Sequence, residues 1–156
     1  MKIETKIEQI KQIIDDHHDD DGDFWSFVGD KYIREILDSF DTPDWECFII
    51  ELANFDDKQR LQFCKTALHY SPRNVDIIDV LDIFFNQYLL LNLEDADWMI
   101  EGIVYLQNMR SPSLDLLEKL RQKIDQIRRY EKKISSEKEL LSAEDVIDKV
   151  VKTHYR

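Results

Sequence analysis

The sequence predicts an all-α protein, and three observations carry that prediction. Only three Gly and three Pro occur in 156 residues, so few turns interrupt the chain. Apolar residues recur at three- and four-residue steps almost throughout, which is the period of a helix with one buried face. The breaks that exist carry helix-start chemistry. Thr42–Pro43, Ser71–Pro72 and Ser111–Pro112 each set a hydroxyl cap before a proline at the first helical position, where the fixed φ suits the helix and the missing N–H costs nothing.

Taken in order, the first helix aligns Ile3, Ile7, Ile10 and Ile14 and runs into a polar stretch, Asp15 to Asp23, read as the first loop. A second, spanning about 24–40, buries Trp25, Val28, Tyr32, Ile36 and Phe40 by the same spacing. A third begins with Thr42 as cap and turns Trp45, Phe48, Ile49 and Leu52 inward; a fourth, after the 54–57 turn, does the same with Leu61, Cys64, Ala67 and Leu68. Ser71 to Asn74 is a break, and from Val75 a fifth helix carries Ile78, Leu81, Phe85, Tyr88 and Leu89. Asp95 reads as the cap of a sixth with Trp98, Ile103 and Leu106. The seventh, about 114–134, spaces Leu117, Leu120, Ile124, Ile127 and Ile134 at heptad-like steps over too few heptads for a coiled coil, so packing within a monomer is expected. Ser142 to Asp145 reads as a capping box opening a last short helix with Val146, Ile147, Val150 and Val151.

Seven or eight helices result, in antiparallel pairs because the connections are short. Their length suits a single all-helical domain over 1–156. The hydroxyl–proline pairs stand 29 and 40 residues apart, a spacing found in helical repeats, so an irregular repeat-like stack and a closed bundle both fit.

Composition removes several function classes. A formal charge of -12 opposes nucleic acid and anionic membranes as partners, since both are polyanions. The longest nearly uncharged apolar stretch, Ile83 to Leu93, is far short of the ~20 residues that span a bilayer. The first eight residues alternate charge with Ile and spell no signal or transit peptide, and two cysteines, Cys47 and Cys64, cannot build a disulfide framework; a reducing cytoplasm is expected. In the Asp15–Asp23 run, an EF-hand register that sets Gly22 sixth puts His17 at the first ligand and Val28 at the twelfth, so the calcium pattern fails, and adjacent His17 and His18 lack the i, i+4 spacing of a zinc pair. No phosphate loop, nucleophile elbow or Cys–His pattern is present, so no enzyme, cofactor or metal is expected.

Charge is distributed unevenly. Residues 1–110 hold 24 acids and 10 bases, a net of -14, whereas 111–156 hold 9 acids and 11 bases, a net of +2. The excess concentrates between residues 15 and 57, where 15 acids face only Lys31 and Arg34. Capping accounts for Asp44, Asp57 and Asp95, but not for six carboxylates within Asp15 to Asp23. Asp15, Asp16, Asp19, Asp20, Asp21, Asp23, Asp38, Asp41, Asp44, Glu46, Asp56 and Asp57 are therefore the candidate electrostatic face, with Trp45 and Trp98 as candidate anchors. In an antiparallel array the loops after the first and third helices share one end and the loop after the second lies at the other. Such a face either meets the internal basic run Arg128 to Lys133 or steers a basic protein partner.

Between Thr42 and Met109, the segments opening at Asp44–Trp45–Glu46 and Asp97–Trp98–Met99 begin paired helices on an acidic, aromatic-rich, site-free chain. This architecture resembles the immunity proteins of bacterial contact-dependent inhibition and related polymorphic toxin systems. The resemblance implies a protein that binds and neutralises a cognate toxin, often a basic nuclease, by presenting carboxylates where phosphates would lie. A helical adaptor binding a peptide or subunit through an apolar groove, and an acidic mimic of nucleic acid, are the alternatives.

Overall fold

A computed structural model describes residues 2–70 and 79–155, except the side chains of Ser26 and Phe27. The described residues are helical without a strand, and eight of the helices reach seven residues or more. They divide into two compact units, Met1–Val80 and Leu81–Arg156.

The first unit is laid on α1 (Ile3–His17), whose buried stripe is Ile7, Ile10 and Ile14. It packs against α3 (Asp30–Asp38), α4 (Thr42–Glu51) and α5 (Asp57–Ala67). The α1 helix extends through Asp15, Asp16 and His17, so the acidic stretch is shorter as a loop than expected. A single turn, α2 (Gly22–Phe24), leads into a π-helical stretch, Trp25–Gly29, and then α3 without a break. At the centre lies an edge-to-face aromatic cluster in which Phe48 meets Phe40 at 5.4 Å, Phe63 at 5.3 Å and Phe55 at 5.9 Å.

The π turn corrects the expected face of the second helix. Trp25 and Phe40 are buried, but Val28 and Ile36 are only half-buried and Tyr32 is 51% exposed, while Ile33 and Leu37 fill the core. A π turn holds about 4.4 residues rather than 3.6, so each residue beyond it is rotated back and the inward set becomes Trp25, Gly29, Ile33, Leu37. Gly29 permits this, because a Cβ there would lie 2.3 Å from Cε3 and 2.6 Å from Cζ3 of Trp25.

Three caps differ from expectation. Asp41, not Thr42, caps α4 in a reciprocal box with Asp44; Asp56 does the same for α5 with Gln59; and Asn92, not Asp95, caps α7 (Leu93–Trp98). Asp and Asn outrank Thr as caps, and each accepts from the N3 amide. In α4 Ile49 is 43% exposed, and in α5 Leu61 and Leu68 are half-buried while Phe63 is fully buried. The Ser71–Asn74 break, with Val75 and Ile78, lies outside the described residues.

The second unit comprises α6 (Val80–Leu90, less its first residue), α7, a 3₁₀ helix (Ile100–Asn108), α8 (Leu114–Arg129) and α9 (Glu137–Tyr155). The long 3₁₀ segment follows from its apolar spacing: Ile100, Ile103, Leu106 and Met109 are all buried at steps of three, the period of a 3₁₀ turn. The α8 helix ends at Arg129, earlier than expected, and Ile134 stands 73% exposed beyond it. The α9 helix is continuous through Ser142; its capping box is Ser136 with Glu139, whose amide donates to Ser136 Oγ at 3.2 Å while Ser136 N–H donates to Glu139 Oε1 at 3.1 Å. The α8–α9 hairpin is clamped by Arg128, which pairs with Asp125, Glu137 and Glu144, so the first residue of the basic run binds acids of its own unit.

Two buried charges tie loops to this unit. Asp97 is 3% exposed and its carboxylate accepts from the N–H groups of Ile134 (2.6 Å) and Ser135 (3.1 Å). Lys123 donates to Leu89 O at 3.1 Å and Leu91 O at 2.5 Å, capping the C-terminal end of α6 with positive charge; burial pushes its ammonium pKa down.

Gly29→Ala is expected to destabilise the protein by about 1–3 kcal/mol through overpacking against the indole, whereas Gly22→Ala, whose Cβ meets nothing within 4 Å, is expected to be neutral or mildly stabilising. Urea denaturation of the pair checks this. Asp97→Ala leaves the buried Ser135 amide and the part-buried Ile134 amide without their acceptor and is expected to cost about 1–3 kcal/mol in the same measurement.

Candidate functional site

The acidic residues of the first unit gather at two ends of α1. Gln59, at the start of α5, donates from Nε2 to both carboxylate oxygens of Asp15 at 3.1 and 3.2 Å, which brings the Asp15–Asp23 segment beside Asp56 and Asp57. Near the other end of α1, Lys6 donates to Ser39 O (3.0 Å) and to Asp44 Oδ2 (3.1 Å), placing the 38–46 group there. The two ends are those expected from antiparallel packing.

Most of these carboxylates have a structural task. Asp21 caps α2 by accepting from Phe24 N–H at 3.0 Å, and Asp41 and Asp56 cap α4 and α5. Asp38 accepts from Tyr70 Oη at 2.5 Å, and Asp30 from Thr66 Oγ1 at 2.5 Å. Burial pushes the Asp44 carboxyl up, but the Asp41 N–H and the Lys6 ammonium outweigh it and hold Asp44 below the usual carboxylate range. Lys6 also lies over the Phe40 ring, 5.7 Å from its centroid, so one cation serves a carboxylate, a carbonyl and an aromatic face.

The α1 end is different. Asp15 and Asp16 lie in the last turn of α1 and Asp19 and Asp20 follow it, at the negative end of the helix dipole, where carboxylates are disfavoured. Partial relief is local: His17 Nδ1 lies 2.6 Å from Asp20 Oδ2, His18 Nε2 lies 3.2 Å from Asp19 Oδ2, and Gln12 donates to Asp16. The segment is nevertheless well placed, because Trp25 Nε1 donates to His17 O at 3.1 Å and the Phe24 ring stacks on His17 at 4.3 Å. Asp16, Asp19, Asp20, Asp23 and Asp57 are exposed; Asp23 and Asp57 have no hydrogen bond or ion pair among the described residues. Glu46, at the other end, is likewise exposed and unpaired there.

The candidate anchors separate. Trp45 is 1% exposed, packed on Phe40, Phe48 and Tyr70, and is a core residue rather than a surface anchor. It sits on the inward stripe of α4 with Phe48, and the Asp41 cap fixes that stripe toward α1. Trp98 is 58% exposed in the second unit. Helical spacing sets Tyr32 on an inward stripe while its residue type also suits an exposed anchor, and the π turn, signalled by Gly29 within an aromatic run, is what exposes it.

Among the described residues no group of three or more His, Cys, Asp or Glu side chains could hold a metal ion, and no helix is long and apolar enough to cross a membrane. Cys47 is half-buried and Cys64 buried, and neither forms a disulfide. No family model, curated protein or solved structure matches the chain.

The depressed Asp44 fixes one pH dependence. Because its folded pKa lies below the ordinary 3.8, its contribution to stability is present above that value and is lost as pH falls through the folded pKa. Asp44→Asn is therefore expected to lower stability at pH 6, with the gap to the unaltered protein narrowing in denaturation curves at pH 3.

Proposed function

We propose that the chain is a non-catalytic immunity or inhibitor protein that binds and neutralises a basic toxin domain, a nuclease being the best chemical match, through the acidic end of its first unit. One observation carries this reading: Asp16, Asp19 and Asp20 crowd the negative pole of α1, where helix electrostatics oppose them, and the exposed Asp23 and Asp57, at the starts of α2 and α5, add to the same acidic end. A field of this kind raises the association rate with a basic protein by one to three orders of magnitude. A groove that binds nucleic acid is positive, and placed carboxylates compete there with phosphates.

A second reading, an adaptor for a peptide, is supported by a groove of about 490 Å³ between the 3₁₀ helix and α9, floored by Ile100, Ile103 and Val146. Trp98 and Val104 add exposed apolar surface in the same unit.

This reading expects the preceding gene to encode a basic toxin domain whose growth inhibition is relieved by co-expression of this chain; a preceding gene of another kind, or no rescue from such a domain, overturns the immunity reading. Asp16, Asp19, Asp23 and Asp57, changed together to Asn, are expected to slow association with that domain at least about tenfold at low salt and to flatten its salt dependence. Stopped-flow mixing checks this, and unchanged association removes this end from the interface.

A further inference from the structure

The π turn at Trp25–Gly29 moves Tyr32 and Ile36 out of the core, and they do not stand alone. With Ile13 of α1 they line a groove of about 460 Å³ between α1 and α3, rimmed by Gln9 and Glu35. Tyr32 and Glu35 are one helical turn apart, on the same face of α3. Neither has a hydrogen bond or ion pair among the described residues, although Lys31 stands four residues before Glu35. Lys6 also lines the groove, but its ammonium is held by Asp44 and Ser39 O. The only uncommitted charge at the groove is therefore negative.

Gln9, Ile13 and Asp16 fall at helical steps along one stripe of α1, so the groove leads directly to the acidic end. A π turn is a costly local arrangement that recurs at functional sites. Here its effect is to leave a tyrosine exposed and an isoleucine half-buried on a unit that already has a well-filled core.

We propose that the α1–α3 groove receives an arginine or lysine side chain flanked by apolar residues from a basic protein partner, its cationic head stacked on Tyr32 and paired with Glu35, its neighbours resting on Ile13 and Ile36. Charge complementarity selects this occupant: an aromatic face beside a free carboxylate suits a guanidinium or ammonium, and the surrounding segment carries 15 acids against two bases. The groove supplies the hold, and the neighbouring carboxylates supply the approach. This inference rests on the basic-partner reading above.

The test uses the full chain and two probes, a 20-residue helical peptide with Leu and Arg at i, i+4 spacing and its twin with Gln for every Arg. Amide shifts at Gln9, Ile13, Tyr32 and Glu35 are expected with the arginine peptide and not with the twin. Tyr32→Ala and Glu35→Gln are each expected to weaken binding about tenfold through faster dissociation, with Tyr32→Phe retaining it. Both positions lie at the surface, so unchanged thermal unfolding is expected to accompany these losses. Shifts confined to Asp16–Asp23 and Asp57 overturn the groove while leaving the basic-partner reading intact. Equal binding of both peptides, or binding of neither, also overturns the groove. The basic-partner reading falls separately, if association with the toxin domain is insensitive to both salt and the Asp→Asn changes.

Discussion

Fifteen carboxylates lie between residues 15 and 57, and that segment offers only Lys31 and Arg34 as cations. The first unit depends on how this shortage is met. Neutral donors do most of it: backbone amides bind Asp21, Asp41 and Asp56, an amide side chain binds Asp15, and hydroxyls bind Asp30 and Asp38. A hydrogen bond from a neutral donor to a carboxylate is charge-assisted, yet it leaves the negative charge in place. The unit thus gains local order without neutralising its field. Lys6 is the exception, and its ammonium is drawn to the junction of α3 and α4, where it fixes the register of α1 against both.

The second unit answers the same question with cations. Arg128 gathers three carboxylates from α8 and α9, and Lys123 places a buried ammonium on carbonyls at the end of α6. Exposed pairs of this kind contribute little individually, so the apolar faces of Leu117, Leu120, Ile124 and Ile127 against Leu140, Ile147 and Val150 carry the hairpin. The near-neutral charge of residues 111–156 and the deficit upstream are two structural regimes within one chain.

The helical class and most inward stripes were legible because period 3.6 is written plainly in α1, α4 and α8. Some misses lie in regular helices, Ile49 of α4 being exposed and Phe63 rather than Leu61 filling the core from α5, but the larger ones fall where the local winding departs from that period. Tyr32 and Ile36 were misplaced because a π turn precedes them, and the 3₁₀ helix was read as part of an α-helix although Ile100, Ile103, Leu106 and Met109 repeat at three. Capping errors have a simpler cause. Asp41–Thr42 and Asp56–Asp57 offer adjacent candidates, and the residue three positions on decides: Asp44 answers Asp41, and Gln59 answers Asp56. Ser136 with Glu139 was likewise a truer box than Ser142 with Asp145. The acidic candidates were readable by composition, but which remained uncommitted was not, because Gln59, Thr66 and Tyr70 are distant in sequence from the acids they bind. Trp45 and Trp98 looked alike in sequence, since each follows an Asp at a helix start; only the packing of Phe40 and Phe48 buries the first.

Long-range charge and short-range contact act on different steps of association. At physiological ionic strength screening sets in over about 8 Å, so under the proposed function Asp19, Asp20 and Asp23 would act on a basic partner during approach and lose most of their advantage over competing ions once solvent-exposed pairs had formed. Retention requires surface that leaves water. In the first unit that surface includes Tyr32, Ile36 and Ile13, and the helix that carries Ile13 also carries Asp16 one turn onward. The π turn therefore couples two structural features within one short stretch of chain: the indole it seats against Gly29 donates to His17 O and so holds the acidic end in position, and the rotation it imposes on α3 exposes Tyr32. A regular α-helix from Phe24 to Phe40 would turn Tyr32 toward the core and remove the groove, leaving the acidic pole with no aromatic surface beside it, so on the proposed function steering and retention would no longer share one face.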